Sequence, residues 1–259
     1  MILDEIAERT RQRVAEEKSA VPLSEMKNRA LAIDANTGFP FKKALGGDDI
    51  SFICEVKRAS PSKGMIAEDF PYLEIARDYE SAGASAISCL TEPFWFKGKD
   101  EYLTEIARAV NIPVLRKDFT VDEYMIYQAK TLGASAVLLI CSILSKEQLA
   151  EYLEIAHSLG LSALVEAHDE NEVRTALSVG AGIIGVNNRD LRTFTVDIHN
   201  SARLRKLVPP EVLFVSESGI RTAADVAALR DNGTNAVLIG ETLMRSPDKK
   251  AALAELRGH

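Results

Sequence analysis

The chain has 259 residues, 46% of them hydrophobic and 27% charged, with a formal net charge of -7. That length buries a full core as one large α/β domain or as two small ones, and the negative balance, with no Lys/Arg-rich tract, argues against a nucleic-acid footprint. No apolar run approaches the roughly 20 residues of a membrane span and the N-terminus shows no signal-peptide core, so the expected partner is a small molecule and the expected location the cytoplasm.

Residues 1–46 read as an N-terminal helical extension. Ile2, Leu3, Ile6 and Val14 fall at helical spacing among charges, and Pro22-Leu23-Ser24-Glu25 starts a second helix. Asn36 to Phe41 reads as a loop, and Gly46-Gly47-Asp48-Asp49 marks the boundary to residues 47–259. From there strands and helices alternate. The strands are predicted at Phe52–Lys57, Ala86–Leu90, Val114–Lys117, Ala136–Ile140, Ala163–Glu166, Ile183–Asn187, Leu213–Glu217 and Ala236–Ile239. Most are near-continuous apolar runs, the mark of parallel strands covered on one side by helices and packed together on the other. Amphipathic helices are predicted between them, among them Tyr72–Ala82, Glu101–Val110, Lys146–Leu159 and Ala223–Asn232.

An internal repeat supports this order. Gly83-Ala84-Ser85-Ala86, Gly133-Ala134-Ser135-Ala136, Gly180-Ala181-Gly182-Ile183 and Gly233-Thr234-Asn235-Ala236 recur about every 50 residues, before the second, fourth, sixth and eighth strands. Each ends a helix at a residue suited to the left-handed stop and starts a strand. Two βα pairs repeated four times make a (β/α)8 TIM barrel with an N-terminal extension, a single domain over 1–259. A doubly wound open sheet is the rival, but no Gly-x-Gly-x-x-Gly fingerprint is present. Cys54, Cys89 and Cys141 sit in apolar runs without a C-x-x-C pattern and read as reduced core residues. His157, His168, His199 and His259 show no metal-ligand spacing, and no metal site is expected.

In a barrel of this kind, chemistry gathers at the C-terminal ends of the strands. On the first strand Glu55 and Lys57 share one face and Cys54 and Val56 the other. Two charges inside a strand are costly unless paired, so the choice is between a structural ion pair and a site. The loop that follows, Ser60-Pro61-Ser62-Lys63-Gly64, has the turn chemistry of a ligand-covering segment. Polar residues also end other strands: Lys117 and Asp118, Glu166, Asn187, and Glu217 with Ser218. Any one of these is more often a polar residue where a strand meets solvent; together they converge on one face. The glycines of Ser218-Gly219-Ile220 and Gly240-Glu241-Thr242 let backbone N–H groups approach an anion, in the two loops where barrels usually hold phosphate. Glu241 is expected to offer its backbone N–H and turn its carboxylate away. Lys57, Arg58, Lys63, Lys117 and Arg189 supply positive charge on this rim for an anionic ligand.

Glu55-Val56-Lys57-Arg58-Ala59-Ser60-Pro61-Ser62, Leu115-Arg116-Lys117-Asp118-Phe119, Leu164-Val165-Glu166, Gly185-Val186-Asn187-Asn188-Arg189-Asp190-Leu191 and Ser216-Glu217-Ser218-Gly219-Ile220 stand in this order along the chain. With these motifs the sequence resembles the indole-3-glycerol-phosphate synthase family from the N-terminal helices to Leu243-Met244. The resemblance implies the ring-closing step of tryptophan biosynthesis, a carboxy-lyase reaction in which 1-(2-carboxyphenylamino)-1-deoxyribulose 5-phosphate loses carbon dioxide and water, with no cofactor. It implies that Lys117 is the acid that protonates the developing alkoxide, with Lys57 the acid and Glu166 the base of the dehydration. Glu55 keeps the lysines charged, Asn187 and Glu217 hold hydroxyls or the amine, and Arg189 meets the benzoate. Ser60, Ser218, Gly219, Gly240 and the Glu241 backbone hold the phosphate, with Lys57 sharing it. Phe94 and Phe119 flank the aromatic ring. The division of labour between Lys57 and Lys117 stays open at this point.

Three rivals accompany this reading: a phosphosugar isomerase, an aldolase with Lys117 as a Schiff base, and a non-catalytic barrel that only binds a phosphorylated ligand. The partner expected is one anionic phosphosugar, with no nucleic acid and no membrane, bound by a monomer or weak homo-oligomer.

Overall fold

The computed structural model describes residues 2–190 and 193–258; Leu191, which closes the motif around Asn187, and His259 lie outside them. Eight strands, β1 (Ser51–Val56), β2 (Ala86–Leu90), β3 (Val114–Lys117), β4 (Ala136–Ile140), β5 (Ser162–Ala167), β6 (Ile183–Asn187), β7 (Leu213–Glu217) and β8 (Ala236–Ile239), form a closed parallel barrel. Each pairs with its neighbours in chain order, and β8 closes onto β1 with Ser51 opposite Ala236. Closure satisfies every strand edge, which the open-sheet alternative would have left exposed. β1 ends at Val56, one residue short of the predicted strand, so Lys57 already sits on the rim.

The repeat motifs turn as expected. Gly83, Gly133, Gly180 and Gly233 all carry positive φ, from 81° to 90°, between a helix and the next even-numbered strand. Ser145 and Thr222 open the helices Lys146–Ser158 and Ala223–Asp231 through capping boxes closed by Gln148 and Asp225.

A period of two runs around the whole barrel. Ile53, Ala86, Leu115, Ala136, Leu138, Ile140, Leu164, Ile183, Val215, Ala236 and Leu238 fill its interior, whereas Cys54, Val56, Val137, Val165 and Val237 pack against the helices. On six of the eight strands an inward position at or just beyond the C-terminal end is a candidate site residue: Glu55 and Lys57, Lys117, Glu166, Asn187, Glu217 and Gly240. The three cysteines are buried and free.

The extension divides into three pieces with different tasks. α1 (Ile2–Ala20) crosses the C-terminal face, where Arg13 pairs with Asp118 at 2.9 Å and Lys18 with Asp122 at 2.7 Å. α2 (Leu23–Leu31) packs on the barrel helix Glu123–Leu132. The loop predicted over Asn36–Phe41 stops at Phe39; Pro40 begins α3 (Pro40–Leu45), a position where its missing N–H costs no hydrogen bond. α3 buries Phe41 and Leu45 completely in the interior cluster and is tied to strand starts through Ser51 and Ser162, plugging the barrel's bottom.

Candidate active site

The centre of the C-terminal face is a charge network. Lys57 Nζ lies 2.9 Å from Glu55 Oε1, and Ser88 Oγ donates to Glu55 Oε2 at 3.2 Å. Across the barrel Lys117 Nζ donates to Glu166 Oε2 at 3.1 Å and stands 3.6 Å from Glu217 Oε2. Asn187 Nδ2 reaches Glu166 Oε1 at 3.4 Å, while the backbone N–H of Arg189 holds Asn187 Oδ1 at 3.0 Å. Burial pushes the Lys117 ammonium down, but Glu166, Glu217 and Glu55 outweigh it and hold the lysine protonated well above its ordinary range. Burial raises and the two lysines lower the Glu55 carboxyl, with a net depression. Glu166 is likewise held low against burial by Lys117 and by His168. Glu217 goes the other way: burial and the neighbouring Glu166 and Glu55 charges push its carboxyl up, towards the neutral form, despite Lys117. The two carboxyls on one lysine are thus pushed in opposite directions.

The glycines at two inward positions make room for these groups. A Cβ on Gly240 would stand 2.6 Å from Glu55 Oε1 and 3.0 Å from Lys57 Nζ; one on Gly185 would stand 2.2 Å from Glu217 Oε1. Gly185→Ala is therefore expected to displace a buried carboxyl and to cost about 1–3 kcal/mol, measurable as a lower midpoint in denaturant unfolding at unchanged slope.

The network lies on the floor of a groove whose ends differ. At one end a cavity of about 120 Å³ is walled by Phe96, Phe119, Leu138, Ile140 and, from α1, Leu3 and Ile6. At the other a cavity of about 280 Å³ is bordered by Ser218, Gly219, Gly240, Thr242, Arg221 and Arg245. The two share Glu55, Lys57, Arg189, Ser218 and Glu241, so they form one continuous trough. Ser218 takes φ +67° and Gly219 φ +85°. Asn188, buried, donates to the Ser218 carbonyl at 3.0 Å and holds that turn, and Thr242 Oγ1 ties it to β8's loop through Ile220 O at 2.9 Å. A non-glycine residue in the left-handed region at a turn held this firmly is the kind of local strain that collects at ligand sites.

Glu55, Lys57, Lys117, Glu166, Asn187, Glu217, Ser60, Phe119, Arg189, Ser218, Gly219, Gly240 and Glu241 all line this trough. Phe94 does not. The buried Glu92 carboxylate accepts the backbone N–H groups of Phe94, Trp95 and Phe96 at 2.7–2.9 Å and coils the loop so that Phe96 faces the groove. Phe94 instead lies under the Arg9 guanidinium of α1, 4.4 Å from its ring centre. Phe96 and Phe119 stand with ring centres 6.0 Å apart. The Glu241 carboxylate stays on the rim, 3.2 Å from Arg245, 3.5 Å from Lys63 and 3.9 Å from Arg189, and Lys63 and Arg245 hold its carboxyl low against burial. Arg58 leaves the site; its guanidinium donates to the Glu68 carbonyl. The loop after β1 forms a small hairpin pairing Ala59-Ser60 with Gly64-Met65, turned at Gly64 with φ +64°.

Sequence reasoning missed Phe96, Asn188, Arg221, Arg245 and the α1 pair Leu3 and Ile6. For the α1 residues no local signal exists, since an apolar stripe at helical spacing reads as core. For Phe96 the signal was present in Glu92, an acidic residue two to four positions before three aromatic residues and so placed to cap their N–H groups.

Over residues 3–256 the chain matches the family model described as indole-3-glycerol phosphate synthase. It is 58% identical over 258 residues to the indole-3-glycerol phosphate synthase of Ruminiclostridium cellulolyticum, covering 100% of this chain and 99% of that protein. It is 54% identical to that of Endomicrobium trichonymphae, covering 99% and 100%. Among solved structures, a mutant tryptophan synthase alpha-subunit from Pyrococcus furiosus superposes with a TM-score of 0.62 at 16% identity, over 82% of this chain and 99% of that one. The thiamine phosphate pyrophosphorylase of the same organism superposes with a TM-score of 0.59 at 17% identity, over 84% and 96%. These two share the fold.

Proposed function

The chain belongs to the indole-3-glycerol phosphate synthase family, and from that premise we propose how its site performs the family's reaction. The enzyme is a carbon–carbon lyase of tryptophan biosynthesis that closes the pyrrole ring of 1-(2-carboxyphenylamino)-1-deoxyribulose 5-phosphate with loss of carbon dioxide and water. The observation that carries the assignment of roles is the trough itself, an aromatic end and a cationic, glycine-lined end joined across Lys117. A benzoate ring, a ketose and a phosphate in that order fit the same sequence of environments.

With the phosphate beside Ser218, Gly219 and Gly240, and Ser60 and Lys57 closing over it, the ring lies between Phe96 and Phe119 and the carbonyl comes to Lys117 on the floor. The aryl carbon attacks that carbonyl, and Lys117 protonates the oxygen as it becomes an alkoxide. Carbon dioxide then leaves with its electron pair returned to the ring. Lys57 protonates the departing hydroxyl and Glu166 removes the ring proton, which completes the indole. Glu55 holds Lys57 in its ionised form at 2.9 Å. Asn187, oriented by Glu166 and by the Arg189 N–H, and Glu217, as a neutral acid, donate to substrate hydroxyls or the amine; Arg189 meets the benzoate carboxylate. The enzyme acts in the cytoplasm as a monomer or weak homo-oligomer, and no helix among the described residues is long and apolar enough to cross a membrane.

Lys117 is poorly suited to the aldolase reading. A Schiff base requires a free amine, and the Glu166 carboxylate at 3.1 Å, with Glu55 nearby, holds this one as an ammonium. The test is the appearance of indole fluorescence on adding the carboxyphenylamino-deoxyribulose phosphate to the protein. Borohydride added during turnover is expected to trap no lysine adduct; a trapped adduct on Lys117 would overturn its role as acid. The aromatic wall has its own test. Phe96→Ala is expected to raise KM by about 10- to 100-fold, the effect of roughly 1–3 kcal/mol of lost stacking and burial, while Phe94→Ala leaves KM within about threefold.

A further inference from the structure

The ring-closing chemistry as assigned leaves His168 unused. It follows Glu166 by two residues and stands between that carboxylate and Glu172 of the helix Glu170–Ser178. Nε2 lies 3.4 Å from Glu166 Oε1 and makes no well-aligned hydrogen bond, while Nδ1 lies 3.1 Å from Glu172 Oε2. Glu172 also accepts the backbone N–H of His168 at 2.7 Å, and Asn200 donates to its carbonyl at 3.0 Å, so the ring is fixed from both sides.

The two carboxylates on Lys117 differ in what else touches them. Glu166 has Lys117 at 3.1 Å, Asn187 at 3.4 Å and His168 at 3.4 Å. Among the described residues the Glu217 carboxyl pairs with Lys117 alone, at 3.6 Å, and its Oε1, pressed towards Gly185, makes no hydrogen bond with them. Two buried carboxyls on one ammonium do not both ionise cheaply, and the proton stays on the less well partnered one. We infer that His168, braced by Glu172, is the positioning residue that settles this choice, holding Glu166 as the ionised base and leaving the proton on Glu217. The inference rests on the assignment of Glu166 as base.

The electrostatics agree with the geometry. Burial opposes charge on the imidazole, but Glu166 and Glu172 push its pKa up to about 10, so it is a cation in the working range. Other charges face the same groups. Glu55 and Lys57 come from β1 and Lys117 from β3, and Asp169, Asp190, Asp197, Arg189 and Arg203 line the cavity of about 500 Å³ on the outer side of His168. Among the charged side chains of the described residues, His168 is the one that touches Glu166 and not Glu217; Asn187, which also reaches Glu166, is neutral.

The experiment is the pH profile of kcat/KM for the parent and for His168→Gln, with Glu166→Gln beside them. In the parent Glu166 is ionised throughout the neutral range. In His168→Gln the proton is shared, so the variant loses at least about tenfold near pH 7 and recovers as pH rises through the upper titration of the carboxyl pair. A variant profile parallel to the parent's, at any level, overturns the inference. Should that parallel profile be found while Glu166→Gln is inactive, this inference alone fails; an active Glu166→Gln overturns the base assignment and the inference with it. The second measurement needs no variant to fold: nitrogen chemical shifts of the His168 ring in the intact enzyme are expected to be those of an imidazolium at about pH 8, above the ordinary histidine range, and a neutral ring there overturns it.

Discussion

Lys117→Met is expected to lower kcat for indole formation by at least roughly 10²-fold, about 3 kcal/mol of barrier, the usual scale for a general acid. Methionine keeps most of the side chain's bulk and removes only the ammonium, so binding of the ring and phosphate at the two ends of the trough should change little. The effect belongs in kcat more than in KM. Stability must be followed in the same variant. Without Lys117, Glu166 keeps His168 but Glu217 loses its ion partner, and breaking a buried pair costs about 3–5 kcal/mol when the remaining charge stays ionised. Protonation relieves that cost. Glu217, left without that cation, then has a folded pKa raised further above the unfolded one, so the variant gains stability as pH falls and loses it as pH rises through the folded value. Turnover and thermal unfolding are best compared at about pH 6, where the parent's own Lys117 is fully protonated. A near-normal rate from a folded Lys117→Met protein would remove the acid from the mechanism.

Glu166→Gln is expected to cost about 10²- to 10⁴-fold in kcat with KM within a few-fold, the range of a lost general base. The substitution is isosteric and leaves Asn187 a hydrogen-bonding partner. It acts on dehydration and not on ring closure, so the ring-closed, decarboxylated compound should accumulate on the enzyme and be recovered by rapid quench and mass measurement. Recovery of unreacted substrate alone would move Glu166 to the first step. The variant also changes the enzyme's pH stability in a direction that can be worked out. His168, held at about 10 by Glu166 and Glu172 against burial, stabilises the fold fully below its unfolded value near 6.5, and that stability is lost as pH rises through about 10. With one carboxylate gone the folded value falls, so Glu166→Gln loses its histidine-linked stability at lower pH than the parent does.

The barrel was legible because its signals are local and repeat. Near-continuous apolar runs, glycine stops every second unit and polar residues at the strand ends each follow from backbone geometry and solvation, and eight copies make the pattern robust. The same local logic placed Glu55 with Lys57, because residues two apart in a strand share a face, and it placed Lys117, Glu166, Asn187 and Glu217 together, because they end inward-facing positions of a closed sheet. These needed no knowledge of distances.

What only the tertiary structure decided are relations between residues remote in sequence. Whether Phe94 or Phe96 faces the ring depends on Glu92 capping three successive N–H groups, a matter of loop conformation. That α1 supplies Leu3 and Ile6 to the trough depends on where a helix lies, and its apolar stripe is the same whether it faces a core or a ligand. Glu241 stays on the rim because Lys63 and Arg189, from two distant loops, converge on it beside Arg245 of its own helix. The protonation states of the two carboxyls on Lys117 are of this kind as well. Composition and spacing make Glu166 and Glu217 equivalent acids at the ends of two strands; burial, a shared cation and one histidine on one side push their carboxyls in opposite directions, because the energy of a buried charge is set by its few nearest partners in space.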